Sequence, residues 1–150
     1  MNQPDSAPAV GRTAETSDGP AAKMGLSEGK LVQELGFDED IDFDFRNTLE
    51  DELGSELLTE EDQEPVDAVL LWWREADGDV DDLADALMDS QTTLDTGGAL
   101  WLLTPRNGRD GHVPPADIAE AAPTAGLHVT TTAGVSADWS ATRLVAKRNL

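Results

Sequence analysis

The sequence predicts an α/β domain of three layers, with a mostly parallel sheet of about five strands and an antiparallel C-terminal edge strand. Three observations carry this. Val66 to Trp73 and Gly97 to Thr104 are apolar runs of strand length without polar alternation, the pattern of strands buried on both faces. Between them Val80, Leu83, Ala84, Leu87 and Met88 recur at helical spacing and form one apolar stripe. A strand, an amphipathic helix and a second strand make a crossover unit, so the two strands run parallel. Near the C-terminus, two further strand-like segments separated by a short turn predict an antiparallel pair at the sheet edge.

The elements follow in chain order. Residues 1–22 are rich in Pro, Ala, Ser, Thr, Gly and Asp and lack periodicity, so they read as a disordered tail, and 23–150 as a single α/β domain. A turn over Met24 to Lys30 leads into a strand at Leu31 to Leu35, which Gly36 ends. Ile41, Phe45, Leu49 and Leu53 recur every four residues on a very acidic helix, and Gly54 is its C-terminal stop. Ser55 to Leu58 reads as a brief strand. Asp79 suits the N-cap of the crossover helix, with Asp81 and Asp82 in its first turn, where the helix dipole favours anions. Pro105 to His112 is a polar loop. Pro114 and Pro115 suit the first turn of a helix reaching about Ala122, which Pro123 ends or kinks. The final strands are Leu127 to Thr132 and Trp139 to Ala146, the latter with Trp139, Ala141, Arg143 and Val145 on one side.

Composition excludes several chemistries. There is no Cys, hence no disulfide, no zinc thiolate site and no cysteine nucleophile. No apolar run approaches the ~18 residues of a membrane span, and no signal peptide is visible, so a cytoplasmic protein is expected. The formal net charge is −21, and residues 34–64 hold fourteen acids and a single base, Arg46. Such a surface repels nucleic acid and anionic lipid. It serves as a solvated face, as a docking surface for a basic protein partner, or as a nucleic-acid mimic. Asp38, Asp40 and Asp42 have the opening spacing of a calcium loop, but Phe43 and Leu49 stand where Gly and Glu are needed. His112 and His128 lie in different elements, and Ser140 beside Asp138 has no base placed near it.

The segment Asp67-Ala68-Val69-Leu70-Leu71, the helix after it, Gly97-Gly98-Ala99-Leu100-Trp101-Leu102, the helix ending at Ala125-Gly126-Leu127 and the final hairpin resemble the C-terminal half of a class I S-adenosylmethionine-dependent methyltransferase. The likeness lies in the order of elements and implies a truncated, methyltransferase-like (Rossmann-like) fold. Lys23 to Arg148 also resembles a bacterial family classed as a domain of unknown function. Its landmarks here are Leu31-Val32-Gln33-Glu34-Leu35-Gly36, Asp67 to Arg74, Leu102-Leu103-Thr104-Pro105, Ile118 to Leu127 and Asp138-Trp139-Ser140. In the methyltransferases a Gly-rich loop after the first strand lets the backbone approach the cofactor. The equivalent here, Glu34 to Asp40, has one Gly followed by Phe37 and three acids, and the usual second strand is not recognisable between Asp40 and Glu64. No cofactor and no catalytic or metal-ligating residue is therefore expected.

The leading expectation is a non-catalytic interaction or regulatory protein that docks a partner through an acidic face formed by Asp38, Glu39, Asp40, Asp42 and Asp44. The alternative is a small-ligand binder or a methyltransferase that uses the crevice at the C-terminal ends of the strands, beside the loops after Trp73 and Thr104. Arg106, Arg109 and His112 cluster in the second of these loops, where open α/β sheets bind ligands, and form a candidate anion loop or pair with the protein's own acids. Trp73 and Trp139 are candidate crevice or interface aromatics. An open sheet edge would favour self-association.

Overall fold

A computed structural model describes residues 19–146. Five strands form one sheet in the order β1-β2-β3-β5-β4: β1 (Val32–Leu35), β2 (Val66–Trp72), β3 (Leu94–Pro105), β4 (Leu127–Ala133) and β5 (Trp139–Ala146). β1 pairs parallel with β2, and β2 parallel with β3. β5 runs antiparallel to both β3 and β4. The antiparallel pair therefore stands at the sheet edge as expected, with the C-terminal strand as its inner member and β4 outermost. No strand lies beside the outer side of β4 among the described residues.

The sheet separates two cores, which gives the three layers. Helix α2 (Phe43–Leu53) buries Phe45, Leu49 and Leu53, with Ile41 before them, against Ala68, Leu70 and Trp72 of β2. Helices α3 (Val80–Ser90) and α4 (Pro115–Thr124) cover the other face, where Leu83, Leu87, Ile118 and Ala121 meet Val69, Leu71, Leu100, Leu102 and Leu144. Trp72 and Trp73 point to opposite faces, as strand alternation requires.

The caps follow the sequence. Asp79 accepts from the Asp82 amide at 3.0 Å and Asp82 accepts from the Asp79 amide at 3.0 Å, a reciprocal capping box for α3. Gly54 ends α2 at φ 80°, a left-handed conformation that a side chain disfavours, and its amide donates to Glu50 O at 2.9 Å. Pro123 sits in the last turn of α4, and the helix stops one residue later.

Two expectations need correction. Of the predicted tail, residues 1–18 lie outside the described residues, but Pro20–Lys23 forms one helical turn, α1. Ala21 is buried there and its amide donates to Glu52 of α2 at 2.8 Å, so folding begins earlier than position 23. Ser55 to Leu58 is not a strand. Leu58 makes one parallel bridge to Gln33, and the chain then turns away where Asp62 accepts from the Thr59 amide. The buried Gln33 amide nitrogen, donating to Thr59 O at 2.8 Å and Asp62 O at 3.0 Å, holds this turn against β1.

Candidate functional site: the crevice at the strand ends

The C-terminal ends of β1 and β2 meet at Glu34, a carboxylate only 6% exposed. A buried charge must be paired and hydrogen-bonded. Arg46, one helical turn into α2, donates through Nε to both carboxylate oxygens at 2.9 and 3.0 Å. Trp72 donates Nε1 to Oε2 at 3.0 Å. The Trp72 ring is set edge-on against Trp139, with centroids 4.9 Å apart, and against Phe45 at 5.9 Å. Such edge-to-face contacts fix its orientation.

Arg74, just beyond β2, forms a second lock. Its Nη1 donates to Gly36 O at 2.8 Å and to Trp72 O at 3.2 Å, and its fork holds Asp40 at 3.0 and 2.5 Å. The guanidinium lies 5.3 Å from the Trp139 ring centroid. The hydrogen bond from Arg74 holds the Asp40 carboxyl below its ordinary range, and the positive charge of Arg74 adds to this against the cost of desolvation. Arg46 thus ties α2 to β1, and Arg74 ties the loop after β1 to the end of β2.

Outside these locks lies an open crevice of about 500 Å³ lined by Glu34, Phe37, Arg46, Thr59, Glu60 and Glu61. Phe37 and Phe43 are 51% and 43% exposed and pack edge-on at 5.9 Å. The Arg46 guanidinium stands 5.7 Å from the Phe37 ring.

The predicted acidic face divides in two. Asp38, Glu39 and Asp44 are exposed, and of these only Asp38 makes a local bond, accepting from the Glu39 amide. Asp40 is held by Arg74. Asp42 is the N-cap of α2, accepting from the Phe45 amide at 3.0 Å and from Ser136 Oγ at 2.6 Å. The expectation that all five are free surface charges is therefore corrected: two of them bind their own chain. Asp42→Ala should cost about 1–2 kcal/mol, as N-cap removal does, with the loss read from the urea midpoint. A variant as stable as the parent would deny the cap its role.

The predicted anion loop is occupied by its own chain. Arg106 donates to Ser136 O at 3.2 and 2.7 Å, Arg109 to Asp138 O at 2.9 Å, and His112 Nδ1 to Pro105 O at 2.9 Å. The two arginines staple the loop after β3 to the β4–β5 turn, and His112 closes the loop back onto the end of β3. Trp139 is 2% exposed and belongs to the core, so it lines no crevice. Trp73 is partly buried against the α3 side and borders a gap of about 20 Å³. Sequence reasoning missed Glu34, Arg46 and Arg74 as a group. The available signal was two adjacent polar residues, Gln33 and Glu34, between the apolar residues of a predicted strand. Among the described residues no group of three or more His, Asp or Glu could hold a metal ion. No helix among them is long and apolar enough to cross a membrane.

The strand order, the single antiparallel strand and the helices on both faces define a methyltransferase-like domain. The CcbJ methyltransferase from Streptomyces caelestis superposes with a TM-score of 0.55 at 12% identity, covering 83% of this chain and 86% of that one. The O-methyltransferase NcsB1 from neocarzinostatin biosynthesis gives 0.56 at 15%, covering 79% of this chain and 49% of that one, so this chain spans about half its length. The magnesium protoporphyrin IX methyltransferase of Synechocystis gives 0.51 at 12%, covering 80% of this chain and 71% of that one. Likeness at such identities shows the fold alone. The chain belongs to the family described as protein of unknown function DUF3052, whose model matches residues 21–148. It is 49% identical over 129 residues to the uncharacterised proteins Mb2263c of Mycobacterium bovis and Rv2239c of Mycobacterium tuberculosis, covering 86% of this chain and 79% of each of theirs.

Proposed function

We propose that this chain is a non-catalytic interaction protein that docks a basic protein partner through the acidic rim of its strand-end crevice. One observation carries the reading. At the strand ends, where the methyltransferase fold holds its cofactor, the polar groups of this chain already bond one another, with Glu34 taken by Arg46 and Trp72 and Gly36 O taken by Arg74. S-adenosylmethionine, which the fold implies and which NcsB1 binds, does not fit the residues present. Gly36 packs on the backbone of β2, where an added Cβ would come within 2.3 Å of Trp72 O. The acids of the loop would repel the cofactor's carboxylate. No step through that cofactor is derived.

Glu60, Glu61 and Phe37 line the crevice and are exposed, and Asp38 and Glu39, which follow Phe37 in the chain, and Asp44, which follows the Phe43 packed on it, are exposed as well. Charged rims steer and orient partners, and aromatic side chains anchor them. The reading places this docking in the cytoplasm. Its test is affinity capture from native lysate with the wild type and with the triple variant D38N/E39Q/D44N. These three substitutions touch neither lock, so the fold is expected to survive. Recovery of a basic partner should fall in the variant, and the difference should shrink as salt rises, because exposed charges are screened over about 8 Å at physiological ionic strength. Equal recovery by both proteins would reduce the acidic rim to a device for solubility.

A further inference from the structure

A second cavity, of about 330 Å³, opens on the opposite side of the sheet between the first turns of α4 and strands β3, β5 and β4. It has no part in the acidic crevice. On this face the sheet is leucine-lined at one end, with Leu100, Leu102, Leu127 and Leu144. At the other end the same rows continue as hydroxyls. Thr104 extends the row of Leu100 and Leu102. Ser140 and Thr142 extend that of Leu144, and Thr132 follows Val129 beyond a bulge. Cross-strand register sets Thr104 opposite Ser140 and Thr132 opposite Thr142. The α4 side offers only Val113, Pro115, Ile118 and Ala119, which are too small to fill the gap.

Thr104 and Thr142 are 2% and 7% exposed. Among the described residues none of the four hydroxyls has a hydrogen-bond partner, whereas Thr130 nearby on β4 has one. Among the described residues the one sealed side-chain polar atom without a partner is Trp101 Nε1, and Thr132 is exposed and Ser140 half-buried, so the hydroxyls are reached from the open cavity and are free to bond a ligand that enters it. His112 also lines it. Pro105 O can only accept, so Nδ1 carries its proton and Nε2 is the free nitrogen. No Asp, Glu, Lys or Arg lines the space.

The geometry points to a binding site for a compact, uncharged, mostly apolar molecule bearing a hydroxyl or similar group that both donates and accepts. Ligand pockets span roughly 300–1,000 Å³ and combine apolar walls with a few convergent polar groups, and this cavity matches their small end. A charged ligand would lose its hydration without gaining a counter-charge.

The test is an amide NMR titration of the full chain with three probes of one shape: p-cresol, toluene and the anion p-toluate. p-Cresol should give saturable shifts at Thr104, Thr132, Ser140 and Thr142. Toluene should bind about threefold to tenfold more weakly, the worth of one net hydrogen bond, and p-toluate not at all. Ala119→Leu, made at an exposed helix position, should fill the cavity and abolish the shifts. Thr142→Val should shrink the advantage of p-cresol over toluene. The proposal is overturned by an absence of saturable p-cresol shifts up to about 10 mM, above the millimolar affinity a small fragment reaches. It is overturned equally by unchanged p-cresol binding in folded A119L or by preference for the anion. Water alone would then satisfy the hydroxyls.

Discussion

Replacing Arg46 by Met should destabilise the protein by about 3–5 kcal/mol, the cost of leaving a buried carboxylate without its partner. Glu34 is 6% exposed and takes both of its close cationic bonds from Arg46. The Trp72 indole remains as a donor, but it is neutral and cannot replace the charge. The loss is a property of the orphaned carboxylate rather than of Arg46 itself, because exchanging a whole buried ion pair for apolar side chains of similar volume is often neutral. The double variant E34M/R46M should therefore recover most of the lost stability. Urea unfolding reads both, as a lowered midpoint for R46M at unchanged slope and its return in the double variant. Equal losses in the single and double variants would mean that the pair stabilises the fold by direct attraction.

Gly36→Ala is expected to cost about 3 kcal/mol or more. Gly36 has φ 76°, a conformation that costs a residue with a side chain roughly 1–3 kcal/mol. The added Cβ would also meet the Trp72 carbonyl at 2.3 Å, a backbone atom of β2, whose residue is registered with Leu103 of β3, and one that cannot swing aside as a side chain can. Moving it would disturb the Arg74 bonds to Gly36 O and Trp72 O. A thermal or urea midpoint within error of the wild type would show that the loop after β1 shifts freely, which contradicts its being locked to the end of β2 by Arg74.

The parts of this fold that read directly from sequence are those set by local spacing. Ile41, Phe45, Leu49 and Leu53 announce the buried stripe of α2 because residues four apart share one helix face. Val66–Trp72 and the core of β3 announce themselves by apolar length. The site is legible only in part, because its bonds join distant residues. Glu34 meets Arg46 twelve positions on and Trp72 thirty-eight positions on. Arg74 meets Asp40 thirty-four positions back. Charge counting marked residues 34–64 as one acidic face, but it could not separate Asp38, Glu39 and Asp44, which face solvent, from Asp40 and Asp42, which hold the chain together. The loop cluster of Arg106, Arg109 and His112 was visible as a local concentration of bases. Its partners are backbone carbonyls, which have no signature in sequence.

The cavity under α4 shows a similar limit. Thr104, Thr132, Ser140 and Thr142 each look like ordinary strand residues. They come together only through the β3-β5-β4 order and a bulge in β4.

The polar groups at the strand ends are already taken by the chain's own side chains, Glu34 by Arg46 and Trp72, and Gly36 O and Asp40 by Arg74, which leaves the crevice without a cofactor cradle. Calorimetric titration with S-adenosylmethionine tests this most directly. No saturable heat is expected with the folded wild type. A dissociation constant in the micromolar range, lost in Glu34→Gln, would contradict it and make the crevice a working cofactor site.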